Sequence, residues 1–126
     1  MIKIIYFSDP NGISKITTSQ DGKYIVVGSH SGTLTIYEWT NQKKNIILST
    51  VLSGHRNSIN NIAVDSNFSI IVSSDLNGKI LSWDINLLGY RKELFSLEPV
   101  NKLIIHPLNG DIIASSKNSI IDRLLI

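Results

Sequence analysis

The sequence contains no cysteine, which removes disulfides, thiolate chemistry and cysteine-ligated zinc from consideration. A small secreted scaffold stapled by bridges is therefore not expected, and a reducing compartment is the natural setting. Alanine is nearly missing, occurring only as Ala63 and Ala114, and no segment keeps a helical apolar period over three turns, so helices have little support. The amino-terminal stretch up to Phe7 carries one lysine before Ser8-Asp9-Pro10, too short for a signal-peptide core or a membrane span. No strong charge of either sign is present: 12 basic residues face 10 acidic ones. Apart from the short clusters Lys43-Lys44 and Arg91-Lys92 the basic side chains are scattered, which is not a nucleic-acid footprint. The three histidines, His30, His55 and His106, have no pair at ligand spacing, so neither a metal nor another cofactor is expected.

The residues present point to strands. Of 126 residues, 42% are hydrophobic, enough to build a core. The apolar set is led by Ile, with Val and Leu behind, and Ser and Asn dominate the polar set, a composition that favours strands and turns. Strand-like runs follow one another from Lys3–Phe7 and Ile13–Thr18 to Asp111–Ala114 and Ser119–Leu125. Between them lie clusters that tolerate tight turns, such as Asp9-Pro10-Asn11-Gly12, His30-Ser31-Gly32, Leu76-Asn77-Gly78 and Leu108-Asn109-Gly110. The chain is expected to be all-β.

An internal repeat organises these runs. Gly32 and Gly78 stand 46 positions apart in similar settings, and the same shift lays Ile13 on Ile59, Ile16 on Ile62, Ile25 on Ile71, Val26 on Val72 and Tyr37 on Trp83. A second shift, of 41 positions, lays Ile62 on Leu103, Val64 on Ile105, Ile71 on Ile112 and Val72 on Ile113. Three units result, about 8–53, 54–98 and 99–126, with residues 1–7 as the outer strand of a preceding unit. A period of forty-odd residues accommodates four short strands, which is one propeller blade.

The middle unit carries a family resemblance. Leu52-Ser53-Gly54-His55, the strand Ile59–Val64, the run Ile70-Ile71-Val72-Ser73-Ser74 and Gly78-Lys79-Ile80-Leu81-Ser82-Trp83-Asp84 together resemble one full WD repeat, from its Gly-His pair to its Trp-Asp pair. The first unit is looser, and the third has Ser119 in place of glycine and Leu124-Leu125 in place of Trp-Asp. Trp83-Asp84-Ile85-Asn86-Leu87-Leu88-Gly89-Tyr90-Arg91 and His106-Pro107-Leu108-Asn109-Gly110-Asp111-Ile112 are similar to the carboxy-terminal propeller of BEACH-domain proteins of the beige and neurobeachin type. The implied fold is a partial WD-repeat β-propeller of about two and a half to three four-stranded antiparallel blades. Closed rings have about four to eight blades, so this chain is not expected to close one.

The resemblance also implies a structural hydrogen-bond network inside the blade, with His55, Ser73 and Trp83 at three positions and Asn77 at the turn position where an acid is usual. Asn77 can hydrogen-bond His55 but offers no charge-assisted bond, so a weaker network is expected. His55, Ser73 and Asp75 are also the residue types of a hydrolytic triad. No nucleophile elbow or glycine-rich oxyanion loop accompanies them, so a structural role is preferred. Trp39 is the best single candidate for a contact residue, given how often tryptophan anchors interfaces. Lys43, Lys44, Arg91 and Lys92 would share one rim of stacked blades, where a basic strip meets an acidic partner or an anionic membrane, although solvated loops are the simpler account.

The expected function is a non-enzymatic protein-interaction scaffold, a fragment of a larger propeller. Its partners would be other proteins, the remaining blades of a longer chain, or a second propeller, with no nucleic acid and only peripheral membrane contact. The BEACH-type resemblance implies vesicle trafficking and a place in the cytoplasm or on the cytosolic face of membranes. The alternative is a truncated or degenerate structural remnant without a function of its own.

Overall fold

The computed structural model describes residues 4–40, 45–86, 91–95, 99–116 and 122–124. Among them the secondary structure is strand throughout, with no helix: β1 (Ile13–Thr18), β2 (Tyr24–Ser29), β3 (Thr33–Thr40), β4 (Asn45–Ser53), β5 (Ile59–Asp65), β6 (Ile70–Asp75), β7 (Lys79–Asp84), β8 (Arg91–Phe95), β9 (Val100–Ile105), β10 (Ile112–Ser116) and β11 (Asp122–Leu124). They form three antiparallel meanders, β1-β2-β3-β4, β5-β6-β7-β8 and β9-β10-β11. The all-β expectation and the four-stranded blade are thus met. Residues 4–7 of the expected first strand pair with no described strand, and Phe7 instead lies tilted against Tyr37 with ring centroids 4.7 Å apart.

The repeat extends to the irregularities of the sheets. In each meander the second residue of the first strand is an unpaired bulge: Ser14 opposite β2, Asn60 opposite β6 and Asn101 opposite β10. A bulge sharpens the local right-handed twist, so all three sheets are twisted at the same point. The hairpins between second and third strands close through Gly32 (φ 90°) and Gly78 (φ 84°), a left-handed backbone that costs glycine nothing.

Side chains alternate across each strand, so the second sheet buries one face against the first sheet and the other against the third. Val26, Leu34, Ile36 and Leu52 of the first sheet pack against Ile59, Ile71, Leu81 and Trp83 of the second. The opposite face of the second sheet, with Val72 and Ile80, packs against Val100, Leu103, Ile112 and Ala114 of the third. Full burial of one such Val, Leu or Ile stabilises by about 1.5–3 kcal/mol, so these two seams hold the array together. The first strands of the sheets, β1, β5 and β9, lie side by side, which is the radial stacking of propeller blades. Gly28 permits the close approach of the first two sheets, since a Cβ there would sit 2.9 Å from a methyl of Ile59.

Candidate functional site

The strongest polar constellation is buried in the second sheet. His55 lies in the loop leading into β5, and Ser73 and Asp75 are two residues apart on β6, so the pleat presents both on one face. His55 Nδ1 is 2.8 Å from Asp75 Oδ2 and Nε2 is 2.7 Å from Ser73 Oγ. Trp83 Nε1 donates to Ser73 Oγ at 3.4 Å. With the ring proton on Nδ1, the hydrogen bonds run in one direction from Trp83 through the Ser73 hydroxyl to His55 Nε2, while Nδ1–H donates to the carboxylate. Ser73 is 0% exposed, Asp75 1% and His55 6%, so satisfying these groups internally is obligatory.

Asp75, and not Asn77, fills the acidic position of this network. Asn77 is exposed at the tip of the β6–β7 turn, and its backbone N–H donates to Asp75 Oδ1 at 2.8 Å, as does that of Lys79 at 3.2 Å. The carboxylate therefore orders the turn with one oxygen and orients His55 with the other. Its position two residues after Ser73, in phase on the strand, was the signal in the sequence. The network is consequently charge-assisted and stronger than an asparagine at the turn would give. The constellation has triad residue types without triad access, because the Ser73 hydroxyl is sealed and already engaged on two sides.

A second polar junction joins the second and third sheets. The side-chain amides of Asn60 and Asn61 both donate to the Val100 carbonyl at 3.0 Å, and Ser74 Oγ donates to Asn60 Oδ1 at 2.6 Å. Val100 stands next to the bulge at Asn101, and nothing in the repeat pattern marks its carbonyl beforehand.

Trp39 is half-buried and lines an open pocket of about 220 Å³ with Asp21, Gly22 and Lys23. Ser19 Oγ donates to Asp21 Oδ1 at 2.6 Å and the Lys23 backbone N–H donates to the same oxygen at 3.0 Å. The Ser19 hydroxyl first, and then the Lys23 amide, hold the Asp21 carboxyl below its ordinary value. Since the depressed carboxylate is the folded form, its small stabilising contribution is present above the ordinary aspartate range and fades as pH falls through the lowered value. A carboxyl-detected NMR titration should find Asp21 titrating below a free aspartate, and Ser19→Ala should move it upward. Of the expected basic strip, Lys92 is exposed on β8; Arg91 belongs to β8 by its backbone, and Lys43 and Lys44 lie outside the described residues. The structure therefore brings together His55, Ser73 and Trp83, and of the expected basic strip it describes the side chain of Lys92. Among the described residues, no cluster of His, Cys, Asp or Glu is arranged to hold a metal ion.

A sequence model of the family described as "WD domain, G-beta repeat" matches residues 3–38 and 47–84. The chain belongs to the WD-repeat family. Periodic tryptophan protein 2 of Saccharomyces cerevisiae is 34% identical over 76 residues, covering 60% of this chain and 8% of that protein. Beige protein homolog 1 of Schizosaccharomyces pombe is 33% identical over 87 residues, covering 66% of this chain and 3% of that protein. Target of rapamycin complex subunit LST8 of Saccharomyces cerevisiae is 22% identical over 102 residues, or 81% of this chain and 33% of that protein. The chain thus spans no more than a third of the length of these relatives.

Solved structures superpose well on this chain. A chain of the Mitotic Checkpoint Complex crystal structure aligns over 93% of this chain and 35% of its own length, with a TM-score of 0.78 at 15% identity. The Cps50 (Swd1) β-propeller domain of Myceliophteria thermophila aligns over 89% of this chain and 38% of its own, with a TM-score of 0.71 at 17% identity. The beige-type resemblance stands beside likeness to other WD proteins. Among the described residues, the buried network lies in the second unit. The first unit has Asp9, Val27, Ser29 and Tyr37 at the places of His55, Ser73, Asp75 and Trp83, and the third has Ala114 and Ser116 at those of Ser73 and Asp75.

Proposed function

We propose that this chain acts as a protein-interaction module, part of a WD-repeat propeller that recruits other proteins through its loops and performs no chemistry. The observation that carries this reading is the sealed network. The one His-Ser-Asp constellation among the described residues is buried and spends its hydrogen bonds on holding a loop and a turn, while the loop residues His30, Arg56, Leu76 and Asn77 face solvent. Fold alone does not choose a function. Two of the similar proteins are, by name, a subunit of a complex and a chain of one, which fits recruitment.

The likeness to a beige protein homolog supports the finer reading, a piece of a large scaffold serving vesicle trafficking on the cytosolic face of membranes. In that setting Lys43, Lys44, Arg91 and Lys92 would form the strip nearest an acidic partner or anionic headgroups, and peripheral contact would follow from their charge. The third unit, which departs most from the WD pattern, favours the second reading, a remnant with no partner.

One precipitation from host extract separates them, using an antibody raised against the segment from Leu87 to Val100. A native polypeptide of hundreds of kilodaltons that brings down a stoichiometric protein partner is the result expected of a scaffold. A product that recovers no partner and shows no cooperative thermal transition in isolation is what a remnant would give.

A further inference from the structure

The outermost strands of the first two sheets differ in length and in charge. β8 is 5 residues long and carries Arg91, Lys92 and Glu93, the kind of charges by which natural sheets keep a further strand from adding to an edge. β4 is 9 residues long, Asn45–Ser53, and carries no charge. The register makes the contrast residue by residue. Leu48, Thr50 and Val51 lie opposite Tyr37, Ile36 and Thr35, while Arg91, Lys92 and Glu93 lie opposite Trp83, Ser82 and Leu81, 46 positions later. Among the described residues β4 pairs with β3 alone, so its outer row of backbone N–H and C=O groups is open to another strand.

Ile47, Leu48 and Val51 are 51%, 59% and 51% exposed, and this exposure belongs to the outer strand itself. Ile47 lies opposite Glu38, on the face that Leu34 and Ile36 bury against the second sheet, and it is exposed with that sheet in place. Leu48 and Val51 lie on the other face with Tyr37 and Trp39, which repeats the face that Trp83 and Ile85 bury against the first sheet. There Glu93 holds the place of Val51 and is exposed with its neighbouring sheet in place. A blade stacked before the first would therefore leave Val51 in solvent. Because β1, β5 and β9 lie side by side, β4 is the far strand of its sheet, on the circumference of the array, where the stacking of further blades does not reach.

We infer that β4 is a docking edge, to which an extended, uncharged segment of a partner protein adds as a fifth strand of the blade. Backbone hydrogen bonds supply the affinity and alternate side chains the specificity. Those side chains meet Ile47, Thr50 and Leu52 on one face and Leu48, Val51 and Ser53 on the other, so β-branched residues fit both faces and a charge finds no counter-ion on either. The bulge at Ser49 bends the strand and leaves the runs 45–48 and 50–53 as the two places for pairing. This edge is separate from the loops through which recruitment is proposed above.

The probe is a capped peptide of alternating Val and Thr with a lysine beyond each end, beside the same peptide methylated at every backbone nitrogen. Fluorescence anisotropy and hydrogen exchange on the full polypeptide read its binding. The plain peptide is expected to bind and to slow exchange within residues 45–53 and not within 91–95, and the methylated one is expected not to bind. The triple variant Leu48→Arg, Thr50→Lys, Val51→Glu gives β4 the charges that β8 carries, and should weaken binding by at least about tenfold. Circular dichroism and the thermal transition confirm its folding, and Val51→Glu alone replaces it if the triple does not fold. Binding that survives the charges or the methyl groups overturns the inference. So does a failure to bind, or exchange already slow throughout 45–53 without peptide, the mark of an edge taken by a second copy or by another segment. A partner recovered from host extract in any of these cases leaves recruitment through the loops in place.

Discussion

Asp75→Ala should lower the unfolding free energy by about 3–5 kcal/mol, the loss expected when one partner of a buried pair is removed. Three donors lose their acceptor at once: His55 Nδ1–H, the Asn77 amide and the Lys79 amide. The two amides border solvent and can turn to water, but His55 is sealed under the sheet and is left with an unpaired polar group. Asp75→Asn keeps the shape and loses the charge, so it should cost less than Asp75→Ala, about 1–2 kcal/mol. Asn77→Ala should stay within about 0.5 kcal/mol, because its side chain is exposed and only its backbone N–H takes part. Urea unfolding of the three variants beside the parent chain measures the series. Equal losses for Asp75→Ala and Asn77→Ala would return the turn asparagine to the centre of the network.

Gly32→Ala should cost about 2–5 kcal/mol, from two sources that can be separated. The first is backbone conformation, since φ at Gly32 is +90° and a side chain resists that region. The second is space across the seam. An added Cβ would lie 2.3 Å from the carbonyl oxygen of His55 and 2.9 Å from that of Asn57, and backbone atoms cannot rotate aside. Gly22→Ala is the control, because φ there is +75° with nothing within 4 Å of the added carbon. It should lose only the backbone part, about 1–2 kcal/mol. Since the loop that Gly32 abuts is the one carrying His55, the larger variant should also increase amide hydrogen exchange at residues 55–58, and Gly22→Ala should not. A Gly32→Ala loss no greater than that of Gly22→Ala would show that the two blades have room to separate at this turn.

Both predictions concern the same junction, where the first blade meets the loop that opens the second. His30 Nδ1 also lies 2.8 Å from Ser58 Oγ, and the Leu76 amide donates to the Ser58 carbonyl at 3.2 Å, so this loop is held by its own blade and by the one before it. Such a loop is well placed to present side chains to a partner, being exposed at Arg56 while anchored at His55.

By itself the sequence determined the fold class, the repeat and most of the strands. Alternation of Ile, Val and Leu with Ser, Thr and Asn sets the period of two, and Gly32 and Gly78 mark the turns because few other residues accept their backbone angles. β1 and β7 have the bounds that pattern implies, Ile13–Thr18 and Lys79–Asp84. Trp83 was legible as a member of the buried network, from the Trp-Asp pair that closes the middle unit. What only the tertiary structure decided is which polar atoms meet. The choice of Asp75 over Asn77 depends on the direction a side chain leaves the end of a strand, and the Asn60 and Asn61 amides find the Val100 carbonyl only because the second and third sheets stack there. Trp39 was placed by its neighbours too, on a face that repeats one buried in the second sheet. Patterns of hydrophobicity fix which way a sheet faces, but hydrogen-bond partners distant in the chain are fixed by how sheets twist and stack, and that geometry exists only once the blades have come together.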